Sequence, residues 1–239
     1  MAPEKNEFVP ETVPVAARAF LMGSDDGMDN EKPARRVWMD AFAIGKFPLT
    51  NRQYEFFVEE TGAEAPPFRS EKMFSHPEKP VVGVSWHDAA AYCAWLARKT
   101  GTPFRLPTEA EWECAARGGV EGRKYPWGDE LPGEEDCPGC DLATGGPARV
   151  GLYAPNGFGL YDMCASVHEW CGDFYDPNYY SVSPERNPSG PPTGVKKVSR
   201  GGSWRHQIKF SRCAARSSLN PAFKYADYGF RVARDTGSL

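Results

Sequence analysis

One stretch of the sequence, from Val198 to Val232, concentrates side chains that can do chemistry. It contains the run Arg200-Gly-Gly-Ser-Trp-Arg-His206 and then Arg212-Cys-Ala-Ala-Arg216. Imidazole can act as an acid, a base or a metal ligand near neutral pH, and a guanidinium offers five hydrogen-bond donors. Helical spacing is almost absent, and loops that carry polar groups on a rigid scaffold are frequent sites of binding and catalysis. We therefore predict that the functional region lies in this stretch.

The seven cysteines do not indicate a single chemistry. Their number is odd and no secretion signal is visible, so a disulfide framework is not indicated. Cys93 and Cys114 fall within helical patterns, where a small buried side chain is the usual role. Cys137 and Cys140 form a CxxC in an acidic, Gly/Pro-rich loop. That spacing suits half of a zinc site, a redox pair or a loop staple, and no second CxxC or HxxxH completes a zinc site.

The composition predicts a folded chain with many turns. Of its 239 residues 41% are hydrophobic, and the 24 glycines and 22 prolines are scattered rather than clustered. The net charge is −4 without a basic block, which argues against nucleic acid as a partner. No apolar run approaches the roughly 20 residues needed to cross a bilayer, so no membrane contact is expected. Without a visible signal peptide, the expected location is cytoplasmic.

Start signals for three helices occur in the first half of the sequence. Thr50 with Gln53 forms a potential capping box, Ser85 precedes a helical pattern over Trp86–Arg98, and Thr108-Glu-Ala-Glu111 opens a third helix that ends at Arg117. Strand-like patterns occur at Phe20–Ser24, Arg36–Ile44, Val81–Val84, Lys197–Ser199 and Gly229–Val232.

The second half is rich in aromatic residues, glycine and proline and has little periodicity. This layout predicts a single α+β domain over residues 18–239, preceded by a flexible leader over residues 1–17.

Several motifs in chain order carry a resemblance to a known family. They are Phe20-Leu-Met-Gly-Ser24, Pro48-Leu-Thr-Asn-Arg-Gln-Tyr54, Pro80-Val-Val-Gly-Val-Ser-Trp86, Phe104-Arg-Leu-Pro-Thr-Glu-Ala-Glu-Trp-Glu113, Tyr125-Pro-Trp-Gly-Asp129, Pro155-Asn-Gly-Phe-Gly-Leu-Tyr-Asp162, Arg200-Gly-Gly-Ser-Trp204 and Gly229-Phe-Arg231. The sequence resembles the formylglycine-generating enzyme (sulfatase-modifying factor) family over about residues 18–234. The resemblance implies an atypical C-type-lectin-like α+β fold with little regular secondary structure.

The resemblance also identifies what the sequence lacks. The enzymes of this family oxidise a sulfatase cysteine to formylglycine, using O2 and a copper ion held by two cysteines shortly after a Gly-Gly-Ser-aromatic turn. Here His206 stands at the position of the first of those cysteines, the second is missing, and Cys213 is too close to Ala214-Ala-Arg216 to replace it. Copper(I) prefers soft thiolates, for which one imidazole is not an equivalent. We therefore expect that the protein is not a copper-dependent cysteine oxidase.

A second departure lies in the run Ser166-Val-His-Glu-Trp170, where His168 replaces a pocket-lining tryptophan of the family. The resemblance thus implies that His168 and His206 face one pocket, beside Ser203 and Arg216. Two neutral imidazoles can bind iron, zinc or copper, or exchange protons with a substrate. Alternatively, each imidazole forms a hydrogen bond to a carbonyl group.

The family also holds a structural Ca2+, and the resemblance maps its ligands onto Asp162-Met-Cys-Ala-Ser-Val-His-Glu169. Asp162 and Glu169 would supply carboxylate oxygens, and Ala165 and Val167 would supply backbone carbonyls, which suits the oxygen coordination of Ca2+. The alternative is a capping role for the aspartate and a salt bridge for the glutamate. A second calcium site of the family falls in the altered loop over residues 136–141.

Three functions remain open at this point. The first is a divergent oxidoreductase acting on a peptide or small molecule through His168, His206 and Ser203. The second is a non-catalytic lectin-like module that binds a ligand or another protein. The third is formylglycine formation by another route.

Overall fold

The computed structural model describes residues 7–132, 139–141 and 145–236, with the side chains of residues 140 and 141 excepted. Short helices and strands alternate with long irregular segments, which confirms the predicted α+β class. None of the helices in these ranges is long and apolar enough to cross a membrane.

The three helices begin where the sequence places their caps. Helix α1 spans Asn51–Thr61, α2 spans Trp86–Thr100 and α3 spans Glu109–Ala116. Each follows a complete capping box, in which the side chains of the N-cap residue and of the third helical residue bond each other's backbone N–H. Helix α2 extends past the predicted end at Arg98 because Gly101, with φ of 71°, provides its left-handed C-cap.

The strands are short. They are β1 Thr12–Val15, β2 Arg18–Met22, β3 Arg35–Met39, β4 Phe42–Gly45, β5 Phe104–Arg105, β6 Cys140–Asp141, β7 Gly146–Pro147, β8 His168–Phe174, β9 Lys197–Arg200, β10 Arg216–Leu219, β11 Tyr228–Gly229 and β12 Ala233–Asp235. One four-stranded sheet has the order β1-β4-β12-β5, and another has the order β10-β9-β8-β11. The pairs β2-β3 and β6-β7 form two small ribbons.

The second four-stranded sheet brings the candidate residues together. Strand β8 pairs antiparallel with β9 and parallel with β11, with His168 opposite Tyr228. The turn after β9 therefore lies beside the first residue of β8 and the residue that precedes β11.

The structure differs from the sequence-based prediction in four segments, including the strand predicted at Gly229–Val232. Residues 12–15, expected within a flexible leader, pair with β4 in antiparallel register. The predicted strand Arg36–Ile44 is divided because Asp40 leaves the ladder to bond the side chains of Arg186 and Asn187. Val81–Val84 forms no ladder, since Gly83 has φ of 76° and donates to the carbonyls of Tyr225 and Tyr228.

The strand predicted at Gly229–Val232 is also shorter than expected. Only Gly229 belongs to β11, together with Tyr228, while Phe230–Val232 lie outside it. The strand predicted at Lys197–Ser199 corresponds to β9.

Two large apolar clusters form most of the core in the described part of the chain. One contains Trp112, Ile44 and Val198, and the other contains Tyr92 and Phe230. Buried ion pairs also cross the core, which is the arrangement that a buried charge requires. They are Glu113 with Arg117 and Arg200, Glu109 with Arg216, and Glu169 with Arg231.

Candidate functional site

His168 and His206 are in direct contact. Nε2 of His168 lies 3.0 Å from Nδ1 of His206. His168 is fixed by β8, where its backbone N–H donates to the carbonyl of Asp227 at 2.8 Å. His206 follows a tight turn in which its N–H donates to the carbonyl of Ser203 at 3.0 Å. The two imidazoles that the sequence resemblance assigned to one pocket are thus neighbours.

Asp227 is a third member of this group that the sequence analysis missed. It directly precedes β11, and its side chain is fully buried. Its Oδ2 accepts a hydrogen bond from Ser203 Oγ at 3.0 Å and lies 3.8 Å from Nε2 of His206. Its Oδ1 accepts from Arg205 Nη2 at 2.7 Å. Its position just before the Gly229-Phe-Arg231 motif is the one signal in the sequence that could have identified it.

His168 is a neutral imidazole at physiological pH. Its ring is buried and stacks on Tyr228, with centroids 4.8 Å apart and an interplanar angle of 24°. Burial lowers the pKa of His168 to about 4, against a smaller opposing effect of Asp227. Its Nδ1 is buried and has no hydrogen-bond partner within the described ranges. The neutral form is the one that binds metals and accepts protons.

The spacing of these side chains suits a metal ion. One ligand atom each from His168, His206 and Asp227 lie within 4.8 Å of one another. Metal–nitrogen bonds near 2.1 Å, at right angles to each other, place two ligand nitrogens about 3.0 Å apart. A set of two histidines and one carboxylate is typical of non-haem iron(II) sites that keep open positions. The 3.0 Å distance also suits an N–H···N hydrogen bond between two neutral rings.

Ser203 belongs to this group, and Arg216 does not. Ser203 is buried and holds Asp227. The guanidinium of Arg216 instead binds both carboxylate oxygens of Glu109, at 2.8 and 3.0 Å, and packs over Tyr180 at 4.1 Å. Because buried Glu109 needs this cation, Arg216 is part of the core and is not available to the histidine pair.

Aromatic side chains extend from both histidines towards the surface. His206 lies edge-on to Phe210, with 6.3 Å between ring centroids. Tyr225 packs against Tyr228 on one side and against Phe223 on the other. Phe210, Phe223 and Tyr225 are between 38% and 47% exposed, and they form an aromatic rim that is connected to His206 directly and to His168 through Tyr228.

Asp162 and Glu169 differ in how their charges are balanced. Both oxygens of Glu169 accept hydrogen bonds from Arg231, at 2.6 and 2.8 Å, and Trp112 Nε1 donates to Oε2 at 2.7 Å. Asp162 accepts the N–H of Gly151 at 2.8 Å, and burial raises its pKa to about 6. Glu169 therefore forms a salt bridge, whereas Asp162 has no cation at ion-pair distance in the described part of the chain.

The backbone of this segment fits a ligand loop. Asp162 and Ala165 both adopt left-handed conformations, with φ of 53° and 63°. The turn is fixed by a hydrogen bond from the N–H of Ala165 to the carbonyl of Gly201. A cation here would be held by the Asp162 carboxylate and by the carbonyls of Ala165 and Val167. The Glu169 carboxylate would then bind both this cation and Arg231.

The CxxC pair and the second calcium loop lie outside the described residues, since Asp136, Cys137 and the side chain of Cys140 are not described. Five other cysteines are free, namely Cys93, Cys114, Cys164, Cys171 and Cys213. Cys164 and Cys213 belong to the same apolar cluster. Burial is the main cause, and the neighbouring Cys213 a smaller one, of the raised pKa of Cys164.

Comparisons with known proteins support the fold. The family profile of the sulfatase-modifying factor enzyme 1-like domain (FGE-sulfatase) matches residues 1–236. The formylglycine-generating enzyme of Streptomyces coelicolor is 36% identical over 277 residues, covering 90% of this chain and 86% of that protein. The solved structure of PvdO from Pseudomonas aeruginosa superimposes with a TM-score of 0.83 at 28% identity, covering 96% of both chains.

A longer relative contains the same kind of domain. The serine/threonine-protein kinase pkn1 of Chlamydia pneumoniae is 34% identical over 252 residues, which cover 98% of this chain. The chain spans only 39% of the length of that kinase.

Proposed function

Because the chain belongs to the formylglycine-generating enzyme (sulfatase-modifying factor) family, we propose that it keeps the family scaffold with a different site. The scaffold is the α+β, atypical C-type-lectin-like fold of that family. In place of copper-dependent cysteine oxidation, the protein is a divergent oxidoreductase whose site consists of His168, His206 and Asp227. Its substrate is a peptide or a small molecule.

The contact between the two imidazoles is the main observation that supports this proposal. The 3.0 Å between their nitrogens matches two neighbouring ligands of one transition-metal ion, and the Asp227 carboxylate lies beside them. A bound transition metal would supply the redox chemistry. The absence of the second copper cysteine from the sequence after Ser203 supports the loss of the thiolate mechanism.

The surrounding residues have separable roles in this proposal. Ser203 and Arg205 orient the Asp227 carboxylate, so that it presents one oxygen to the histidines. Burial keeps His168 neutral and ready to bind a metal. Phe210 and Tyr225 border the open side, where an apolar part of the substrate would pack.

We propose in addition that Asp162, Ala165, Val167 and Glu169 hold a structural Ca2+. The half-buried Asp162 carboxylate, which has no cation at ion-pair distance among the described residues, supports this assignment. Calcium would stabilise the loop that leads into β8 and would thereby fix the position of His168. The cytoplasmic location expected from the sequence also stays a prediction.

The alternative function is a non-catalytic binding module. The exposed aromatic rim of Phe210, Phe223 and Tyr225 favours it, because such a surface can bind a ligand or protein without chemistry. In that case the imidazoles share a hydrogen bond and hold no metal.

Metal analysis distinguishes these functions. Protein purified without chelators should contain nearly one equivalent of a transition metal, as measured by inductively coupled plasma mass spectrometry. The His206→Ala variant should lose it, whereas His87→Ala should not, because His87 is exposed on α2. Calcium as the sole metal in the wild type, or a full transition-metal content in His206→Ala, would contradict the oxidoreductase proposal.

A further inference from the structure

A second candidate site lies near the other end of β8, about 16 Å along the strand from His168. It is a cavity of about 410 Å³ between α2, β5 and β8. Its walls are mostly apolar and include Trp86, Ala90, Ala94, Phe104 and Leu106. A cavity of this size and lining is typical of sites for small molecules, in which few polar groups orient the ligand.

Asp173 is the acidic residue in the lining of this cavity. It lines the cavity, yet its side chain is only 3% exposed. Its Oδ2 accepts the backbone N–H of Glu109 at 2.8 Å, and no lysine or arginine forms an ion pair with it in the described part of the chain. Burial, with the nearby charge of Glu109, raises its pKa to about 8. Asp173 is therefore a protonated acid at neutral pH, which can donate a hydrogen bond.

The charged groups around Asp173 are already balanced. Glu109 is paired with Arg216, and Glu111 is paired with Arg105 at the rim of the cavity. Lys197 is the remaining cation that acts on Asp173.

The position of Lys197 disfavours a cationic ligand. Its Nζ donates to the carbonyl of Gly172 at 2.8 Å and lies over the rings of Phe174 and Trp86, at 3.5 and 4.2 Å. An ammonium ligand beside Asp173 would be repelled by this charge. A carboxylate ligand would lose its hydration against mostly apolar walls, whose one arginine, Arg105, is already paired with Glu111 and Asp235. A neutral ligand is not repelled by Lys197 and loses less hydration when it enters the cavity.

We propose that this cavity binds a small, uncharged, mainly apolar molecule whose hydrogen-bond acceptor is held by the Asp173 carboxyl group. This site is separate from the histidine site and does not depend on the function proposed for it. In this proposal the Asp173 carboxyl group donates a hydrogen bond to the ligand, and the apolar body of the ligand packs between Trp86 and the small side chains of Ala90 and Ala94.

The test uses three probes with the same ring, namely benzyl alcohol, benzylamine and benzoate, titrated into the full chain and followed by NMR. Benzyl alcohol should shift the amide signals of Gly172 and Ala90 saturably and bind at least tenfold more tightly than either charged probe. Ala94→Leu should weaken its binding at least tenfold by filling the cavity. The matched control is Ala91→Leu on the same helix, which should not change binding because Ala91, although exposed like Ala94, does not line the cavity.

The pH dependence tests the role of Asp173 itself. Wild-type affinity should fall as the pH rises through about 8, because the ionised carboxylate no longer donates a hydrogen bond. Asp173→Asn should keep the affinity at pH 7, since the amide still donates, and should remove the pH dependence. No saturable shift with benzyl alcohol, tighter binding of benzylamine or benzoate, or equal binding by Ala94→Leu would overturn the proposal.

Discussion

Glu169 and Arg231 form a fully buried bidentate ion pair next to the histidine site. Arg231 Nε lies 2.6 Å from Oε2 of Glu169, and Nη2 lies 2.8 Å from Oε1. The same guanidinium donates to the carbonyls of Gly45 and Tyr161. It thus ties β8 to β4 and to the loop before Asp162. His168 adjoins Glu169 in sequence, so the position of the histidine depends on this pair.

The first prediction concerns this ion pair. Arg231→Met should lower the free energy of unfolding by about 3–5 kcal/mol, because it leaves the Glu169 carboxylate buried without a cation. The double variant Glu169→Gln/Arg231→Met should recover part of the loss. Urea denaturation followed by circular dichroism measures both. Arg36→Ala serves as the control, since its salt bridge with Glu121 is exposed and should contribute little. A double variant less stable than Arg231→Met would contradict this account.

The second prediction concerns pH and His168. The pKa of this histidine is lowered to about 4 in the folded state, so the unfolded state takes up a proton that the folded state does not. The contribution of His168 to stability is therefore complete above about pH 6.5 and is lost as the pH falls towards 4. With a chelator present, the stability difference between wild type and His168→Asn should shrink between pH 7.5 and 4.5. A difference that is constant over that range would show that burial does not suppress protonation.

The third prediction concerns calcium at Asp162. Added Ca2+ should raise the melting temperature of the wild type, because an ion that binds only the folded state stabilises it. Asp162→Asn should abolish most of this shift, whereas Asp26→Asn, at an exposed position, should keep it. The shift should also weaken below about pH 6, where Asp162 becomes protonated. An undiminished calcium response in Asp162→Asn would exclude the proposed site.

The fourth prediction concerns Arg216, which the sequence resemblance assigned to the pocket. Arg216→Met should destabilise the fold because Glu109 would lose the cation that binds both its oxygens. The remaining folded protein should keep the metal content of the wild type. If the variant lost its metal while its stability was unchanged, Arg216 would instead belong to the histidine site.

The parts of the structure that the sequence predicted well are those that local patterns encode. The capping boxes at Thr50, Ser85 and Thr108 involve residues three positions apart, so a short window contains the whole signal. The contact between His168 and His206 was expected from the resemblance to the family, because a shared fold brings distant positions together.

The parts that the sequence did not predict depend on distant pairing. Asp227 lies next to the histidines because β11 pairs parallel with β8. No local sequence pattern predicts that pairing. Arg216 binds Glu109 across 107 positions of the chain. The strand expected over Arg36–Ile44 is interrupted by contacts of Asp40 with Asn187, which also lies far away in the sequence.

Anomalous diffraction from crystals of chelator-free protein tests the central claim most directly. We predict one transition-metal peak at about 2.0–2.2 Å from both Nε2 of His168 and Nδ1 of His206, with an Asp227 oxygen as third ligand. The peak should vanish in crystals of Asp227→Asn/His206→Ala. Imidazoles in direct hydrogen-bond contact, with no anomalous peak between them and Asp227, would contradict the metal site.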